Sequence, residues 1–498
     1  MHFEVAHTAC THTRLTCNCL LRAHAGDASS APHGPTRSED SQSAVYAFHA
    51  ASYELLPSSN SPAAQSEGVG VPHHIGECAT YSCVASGCSH GAAPARHRCT
   101  SDGSLPPMPG VFDLISVPSR FFQPNRASTD ALHWLMMACT DGSVRLLDPR
   151  TLASAAAPFT GIHEEMITSC TPLYAGGASS AAAAHLLCSA HTGAVVLYAV
   201  EERRVAQHLE GHEFDAWCTA VLPVGGRWAA PESHPGSDGE GCAETRGDAA
   251  TCAVLLASGG DDGLCKLYDM RCNCRRAAGR LRFDAGVVSI TPVLDTSSSA
   301  AAALPTPYLL VGSYDESIAL VDMRSMRRPV AQRGGLGGGV WRTSRCLRPL
   351  WPEGAPSASP ATECRSANLE LMVSAASVDP TSASGVSSLH SSFTSCGWVN
   401  VSNVLVLPLM QRGAALLPYD VHASSDDVFG KAPLDYFFTE EGASADAGSL
   451  PALTDQTLVY DTAVLQPLTR SNQTAVVATA SFYEKRIDVW SVRLARES

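Results

Sequence analysis

The chain writes one phrase several times, and this repetition limits its possible folds more than any other feature. At Ser258 it reads SGGDDGLCKLYDMR, and from Val311 it reads VGSYDESIALVDMR. Each copy has an apolar run, then small residues, then an acid at a turn. A second alternating run follows and ends in an aromatic or apolar residue. Asp262 and Gly263 fill the turn in one copy, Asp315 and Glu316 in the other. Three more copies are MMACTDGSVRLLDPR with Asp141 and Gly142, LLCSAHTGAVVLYAVE with Thr192 and Gly193, and VVATASFYEKRIDVWSV with Glu484 and Lys485. Two period-two strands around a short turn are the signature of a hairpin.

Hairpins recurring every roughly fifty to seventy residues resemble the four-stranded blades of WD-repeat propellers, whose period is about 40–45 residues. Loop-like insertions account for the excess, as in WAAPESHPGSDGEGCAETRGDAA after Arg227. The expected fold is all-β: a seven-bladed WD-repeat β-propeller with long disordered loop insertions, one domain over residues 1–498. Clear blades are expected at about 131–342 and 455–493, and fainter ones at about 10–55 and 338–410. Insertions are expected at about 57–105, 228–250, 351–363 and 421–450.

Composition narrows the function classes. With 34 Lys and Arg against 48 Asp and Glu, the formal net charge is −14. That argues against nonspecific binding to nucleic acid or acidic membranes, which need a positive field. No apolar run approaches the roughly 18 residues of a membrane span, and no secretory leader is evident. The 19 cysteines are irregularly spaced and read as free thiols in a reducing, cytoplasmic setting.

In WD-repeat propellers the turn acid helps bond a His from the preceding loop and a Ser or Thr on an inner strand. Here His212 follows Gly211, Ser258 and Asp262 complete the set, and Tyr268 stands where Trp is common. Ser258, Asp262 and Asp315 are therefore expected to form a structural turn network, because buried polar groups left unpaired are costly. The repeat by itself implies a propeller and not an enzyme.

Four phrases go beyond the repeat: HEFDAW (212–217), SGGDDG (258–263), GSYDE (312–316) joined to GGGVWR (337–342), and SFYEKRIDVW (481–490). Their order and content resemble the diphthine methyl esterase family, with an echo of another family segment in TLVYDTAVL (457–465). The resemblance spans roughly residues 131–492. Asp215 stands where that family has Glu, Ala480 where it often has Cys, and Glu484 where it has Asp. The resemblance implies hydrolysis of the methyl ester of methylated diphthine on translation elongation factor 2, giving diphthine and methanol. It implies no cofactor and no metal. Elongation factor 2 would be the partner, and the esterase itself is expected to be a monomer. The rival reading is a non-catalytic WD-repeat scaffold for protein–protein interaction, in trafficking or ubiquitin-ligase recruitment.

Ester hydrolysis needs an activated nucleophile or water and donors for the oxyanion. Candidate catalytic residues are Asp261, His212, Tyr314 and Arg342. Candidate substrate-binding residues are Asp215, Trp217, Glu316, Trp341 and Tyr483. Asp261, Tyr314 and Tyr483 each precede a turn acid, so they are expected at one height on a shared rim. One carboxylate would activate water, with Arg342 or a tyrosine hydroxyl at the oxyanion. The alternative is that Arg342 pairs with an acid and Tyr314 simply packs. Gly87–Gly91 matches a nucleophile-elbow pattern, but Pro94 breaks the helix that pattern needs. The Cys/His-rich stretch 73–99 has zinc-type ligands without a regular finger spacing. It is read as a loop with incidental thiols.

Overall fold

The computed structural model describes residues 3–12, 19–24, 43–48, 109–122, 133–148, 154–175, 183–224, 253–270, 275–295, 304–347, 399–437, 458–469, 473–483 and 486–494. These form almost nothing but antiparallel strands. Blade I pairs Val111–Pro118, His133–Cys139 and Val144–Leu147. Blade II pairs Ile167–Ala175, Ala183–Ala190, Val195–Ala199 and Arg204–His208. Blade III pairs Ala216–Val224, Ala253–Gly260, Leu264–Asp269 and Gly279–Arg282. Blade IV holds Val287–Asp295, Leu304–Ser313, Ile318–Asp322 and Ala331–Arg333, with Val399–Asn400 added in parallel to its first strand. Blade V holds Ser402–Pro408, Ala414–Asp420 and Asp435–Tyr436. Its inner edge is the irregular segment 340–347, bridged at Val340 to Leu409 and at Cys346 to Leu405. Blade VI pairs Val459–Gln466, Thr474–Ser481 and Arg486–Leu494 with Phe3–His12.

The protein is therefore a β-propeller, and the described residues form six blades where seven were expected. In the remaining place lies a two-stranded ribbon, Cys19–His24 with Ser43–Phe48, whose first strand packs against the inner strands of blades VI and I. Among the described residues the expected N-terminal blade at 10–55 shows this ribbon, while Phe3–His12 pairs with the far end of the chain. The first full blade starts at Val111 rather than near 131. Segment 421–437 is part of blade V and not an excursion, since Val428, Phe429 and Phe437 are buried. The insertions at 57–105, 228–250 and 351–363, the stretch 438–450, the Cys/His-rich stretch 73–99 and the motif at 87–91 lie outside the described residues.

The core is a set of layers between neighbouring blades. One layer joins blades I and II through Trp134, Leu146, Ile167, Leu186 and Tyr198. Others join II to III, III to IV, IV to V and V to VI. This explains why the central strands do not alternate as their hairpin pattern suggested. Val195–Ala199 is buried at every residue, because a blade is covered on both faces. Only an outermost strand such as Arg204–His208 keeps the half-exposed alternation. Cys139, Cys170, Cys188, Cys218, Cys265 and Cys346 are free thiols. Among the described residues no helix is long and apolar enough to cross a membrane.

The turn network forms once in full. His212 Nδ1 lies 2.8 Å from Asp262 Oδ1 and its Nε2 lies 2.8 Å from Ser258 Oγ. Ser258 Oγ is 2.9 Å from the Tyr268 hydroxyl, which donates to the Glu210 carbonyl at 2.7 Å. In blade IV no His occupies this place: Asp315 accepts from the Ser317 N–H at 3.0 Å, and its own N–H donates to Ser313 Oγ. The residue after the turn acid, or after Thr192 in its place, takes a left-handed backbone in Gly142, Gly193 and Gly263. Glu316 takes the same place at φ 62°. A residue with a Cβ pays about 1–2 kcal/mol for that conformation. Glu316→Gly is accordingly expected to raise stability by about 1 kcal/mol, read from the denaturant midpoint. A loss would mean that the Glu side chain holds blade IV together.

Candidate functional site

The first strand of each blade faces the middle of the ring, and in five blades it carries a bulge at its second residue. Pairing skips Phe112, Thr168, Trp217, Val288 and Tyr460. A bulged residue leaves the ladder and its side chain is re-aimed. In blade V, Trp341 follows Val340 in the corresponding place, and its N–H donates to the Pro408 carbonyl. A second set of positions repeats with equal regularity. The N–H groups of Thr140, His191, Asp261 and Tyr314 each donate to the carbonyl just before their own blade's inner strand, at Gly110, Met166, Asp215 and Gly286. Met410 does the same to Gly339, and Phe482 to Leu458. These bonds hold six side chains at one height above the bulges.

The result is a bowl floored by aromatic rings. Phe112 stacks on Trp217 with centroids 5.6 Å apart, Trp217 lies 5.7 Å from Trp341, and Phe112 lies 6.2 Å from Trp341. Trp341 also meets Tyr314 at 5.9 Å and Tyr460 at 5.2 Å, and Tyr460 meets Phe482 at 4.9 Å. Blades I, III and V are not neighbours, so rings that touch across them converge over the centre of the propeller. Trp341 is buried beneath the others, whereas Phe112, Trp217, Tyr314 and Tyr460 are half-buried and keep part of their surface open.

Acids stand around this floor. Asp261 accepts a 2.5 Å hydrogen bond from the Trp217 indole N–H. Loss of water around it pushes its carboxyl above the usual carboxylate range, and Asp215 and Asp262 nearby add to this; the indole bond opposes the shift. Asp215 Oδ2 lies 2.7 Å from His191 Nδ1, and burial raises its carboxyl as well. Burial, followed by the charge of Asp261, pushes the Tyr314 phenol far up, so it is a protonated donor at neutral pH. Gly286 is what lets Asp261 and Tyr314 close together. A Cβ there would lie 2.6 Å from Asp261 Oδ1 and 2.9 Å from Tyr314 Cδ2.

Four of the residues singled out in the sequence, Asp261, Trp217, Tyr314 and Trp341, meet in the bowl, and Asp215 flanks it. Others do not. His212 has a side chain that is 0% exposed, and both of its ring nitrogens face partners in the turn network. Burial, acting against Asp262, keeps its pKa below the usual value. It is a structural group with no open face toward a substrate. Arg342 lies 2.9 Å from Asp113 and 3.8 Å from Asp461, a carboxylate it shares with Arg345 at 3.6 Å. Its pairing with an acid is the alternative raised for it above. Glu316 is half-buried at its strained turn. Tyr483 is one residue off the shared rim: Phe482 makes the rim bond, while Tyr483 is 62% exposed and packs edge-on against Phe482. Phe112, Tyr460, His191 and Phe482 complete the bowl without having been singled out. The signal for His191 was in plain view, since it precedes a turn residue as Asp261 and Tyr314 do. Among the described residues no group of three or more His, Cys, Asp or Glu side chains is placed to hold a metal ion.

No family model matches the chain. No curated protein matches it either. Among solved structures, a chain of "Crystal Structure of Mitotic Checkpoint Complex" is similar at 13% identity, with a TM-score of 0.38, over 73% of this chain and 72% of that one. The propeller assignment rests on the strand pairing described above.

Proposed function

We propose that the protein hydrolyses the methyl ester of methylated diphthine on translation elongation factor 2, releasing diphthine and methanol. One observation supports this reading. The phrases that resemble the diphthine methyl esterase family are far apart in the sequence, yet their distinctive residues Trp217, Asp261, Tyr314 and Trp341 converge in one bowl. In this mechanism Asp261 takes a proton from water as the water oxygen attacks the ester carbonyl carbon. The oxygen of the tetrahedral intermediate accepts a hydrogen bond from the Tyr314 phenol. Collapse breaks the bond to the methoxy group, which leaves with the proton held by Asp261, giving the carboxylic acid and methanol. Arg342, tied to Asp113, has no part in it. The open floor suits a planar modified imidazole, which stacks on aromatic faces.

The second reading is a binding platform without turnover. It is favoured by the exposed rings Phe214 and Tyr483, 61% and 62% exposed. Large exposed apolar groups next to a concave site mark protein contact. The test is methanol release, with a matching loss of one methylene in mass, from elongation factor 2 carrying methylated diphthine. Turnover is expected; binding without turnover would replace the esterase by the platform.

A further inference from the structure

We propose that the arginines where blades III and IV meet form a docking surface for an acidic segment of a partner protein. Residues 270–283 hold five arginines and no acid, and residues 323–334 hold four arginines and no acid. The fold brings the two segments together. The turns after Gly260 and Ser313 stand on the rim of the bowl, and the third strands Leu264–Asp269 and Ile318–Asp322 run away from it. The loops that follow these strands therefore lie at the opposite end of the ring. There Met326 covers the outermost strand of blade III: a Cβ at Gly279 would lie 2.8 Å from Met326 Cγ. Arg275 and Arg276 come from one loop, Arg324, Arg327 and Arg328 from the other, and all five are exposed.

Glu210 engages Arg280 and Asp322 engages Arg324, each at 2.6 Å. Among the described residues no carboxylate pairs with Arg275, Arg276 or Arg328. Solubility does not call for them, because the chain as a whole carries a net charge of −14. Each guanidinium instead offers a planar fork that matches a carboxylate bidentately, and no lysine stands in either segment. Val330, 40% exposed, and the partly buried Met326 lie among the arginines. Arginine and methionine around an apolar residue is the composition of a protein interface. A nucleic acid needs a longer basic track, and the acidic remainder of the chain repels a long polyanion. The surface and the bowl lie at opposite ends of the ring, so this inference does not rest on ester hydrolysis.

The test uses the full chain and two labelled probes of like charge, the peptide decaglutamate and the RNA decauridylate, followed by fluorescence anisotropy. Decaglutamate is expected to bind saturably and severalfold more tightly than decauridylate. Its binding should weaken about 10-fold when salt rises from about 50 to about 200 mM. Arg275→Glu with Arg276→Glu, and separately Arg327→Glu with Arg328→Glu, are each expected to weaken decaglutamate about 10-fold. Their melting transitions should stay in place, because these side chains are exposed. Arg204→Glu, at an exposed arginine of blade II, is expected to change nothing. Unchanged binding in either double variant, an equal loss in Arg204→Glu, or tighter binding of decauridylate would overturn the proposal. So would binding that appears only once residues 228–250 are deleted. These lie between Val224 and Ala253, which pair at the same end of blade III, and their acids Glu232, Asp238 and Glu240 would then be the occupant. None of these outcomes depends on turnover, so failure here leaves the esterase reading standing, and failure of methanol release leaves this one standing.

Discussion

Asp261→Asn is expected to slow methanol release by about 100-fold or more, with the melting transition unmoved. The substitution keeps the shape of the side chain and an oxygen that can accept from the Trp217 indole, so it removes only the charge and the base. The carboxylate sits at a turn and is exposed, which separates its chemistry from the core. Although the residue as a whole is exposed, its carboxylate loses part of its water in the folded protein, and this raises its pKa. The folded state therefore binds that proton more tightly than the unfolded chain does. The ionised carboxylate costs stability at pH values above the folded pKa, and that cost disappears on acidification. The amide is accordingly neutral or slightly stabilising at pH 7. The same shift sets the pH profile: turnover falls as pH drops through the raised pKa, and the limb lies above the ordinary carboxylate range. Asp215, Asp262, His191 and Tyr314 surround the group, so the matching profile of Asp215→Asn separates their contributions. Full turnover in Asp261→Asn would move the base to Asp215.

Removal of residues 1–12 is expected to cost about 5 kcal/mol or more, most of the stability of an ordinary domain. Phe3–His12 pairs along the whole length of Arg486–Leu494. Phe3 is 3% exposed and joins Trp490, Val492 and Phe437 in the layer between blades V and VI. Its N–H donates to Asp435 of blade V at 2.9 Å. Without this strand, the edge of Arg486–Leu494 is open for pairing with other chains. The shortened protein should lose its cooperative melting transition and associate, as read by light scattering. A synthetic peptide of residues 1–12 added in trans should restore both properties. An unchanged transition would mean that the last blade is complete without it.

The hairpins of blades I, II, III, IV and VI were legible in the sequence, because both strands and the turn of each lie within one short stretch. The meeting of Trp217, Asp261, Tyr314 and Trp341 was legible in part, since equal places in a repeat come to equal heights in a ring. The rest depended on pairings that local pattern does not carry. Phe3–His12 finds its partner at the opposite end of the chain. Val111–Pro118 lies between the insertion at 57–105 and the hairpin it serves, outside the expected blade bounds, and Phe112 was missed with it. Ala414–Asp420 lay beyond the blade expected at about 338–410, yet it pairs along all of Ser402–Pro408. The displacement of Tyr483 by Phe482 is one residue, which turn letters alone do not fix. His212 shows the opposite case: a residue type that suggests chemistry, consumed by the turn it stabilises.

The bulges carry a consequence for how such a protein changes over time. Phe112, Thr168, Trp217, Val288 and Tyr460 are left out of backbone pairing at the start of their inner strands. Thr168 and Val288 are buried, and Thr168 bonds to Ser189 and to the Ala216 carbonyl, whereas exchanging Phe112, Trp217 or Tyr460 alters the bowl and leaves the ladders on either side as they are. Recognition is thus written on positions that assembly does not read. A lineage, or a designer, can rewrite those three letters and keep the same ring.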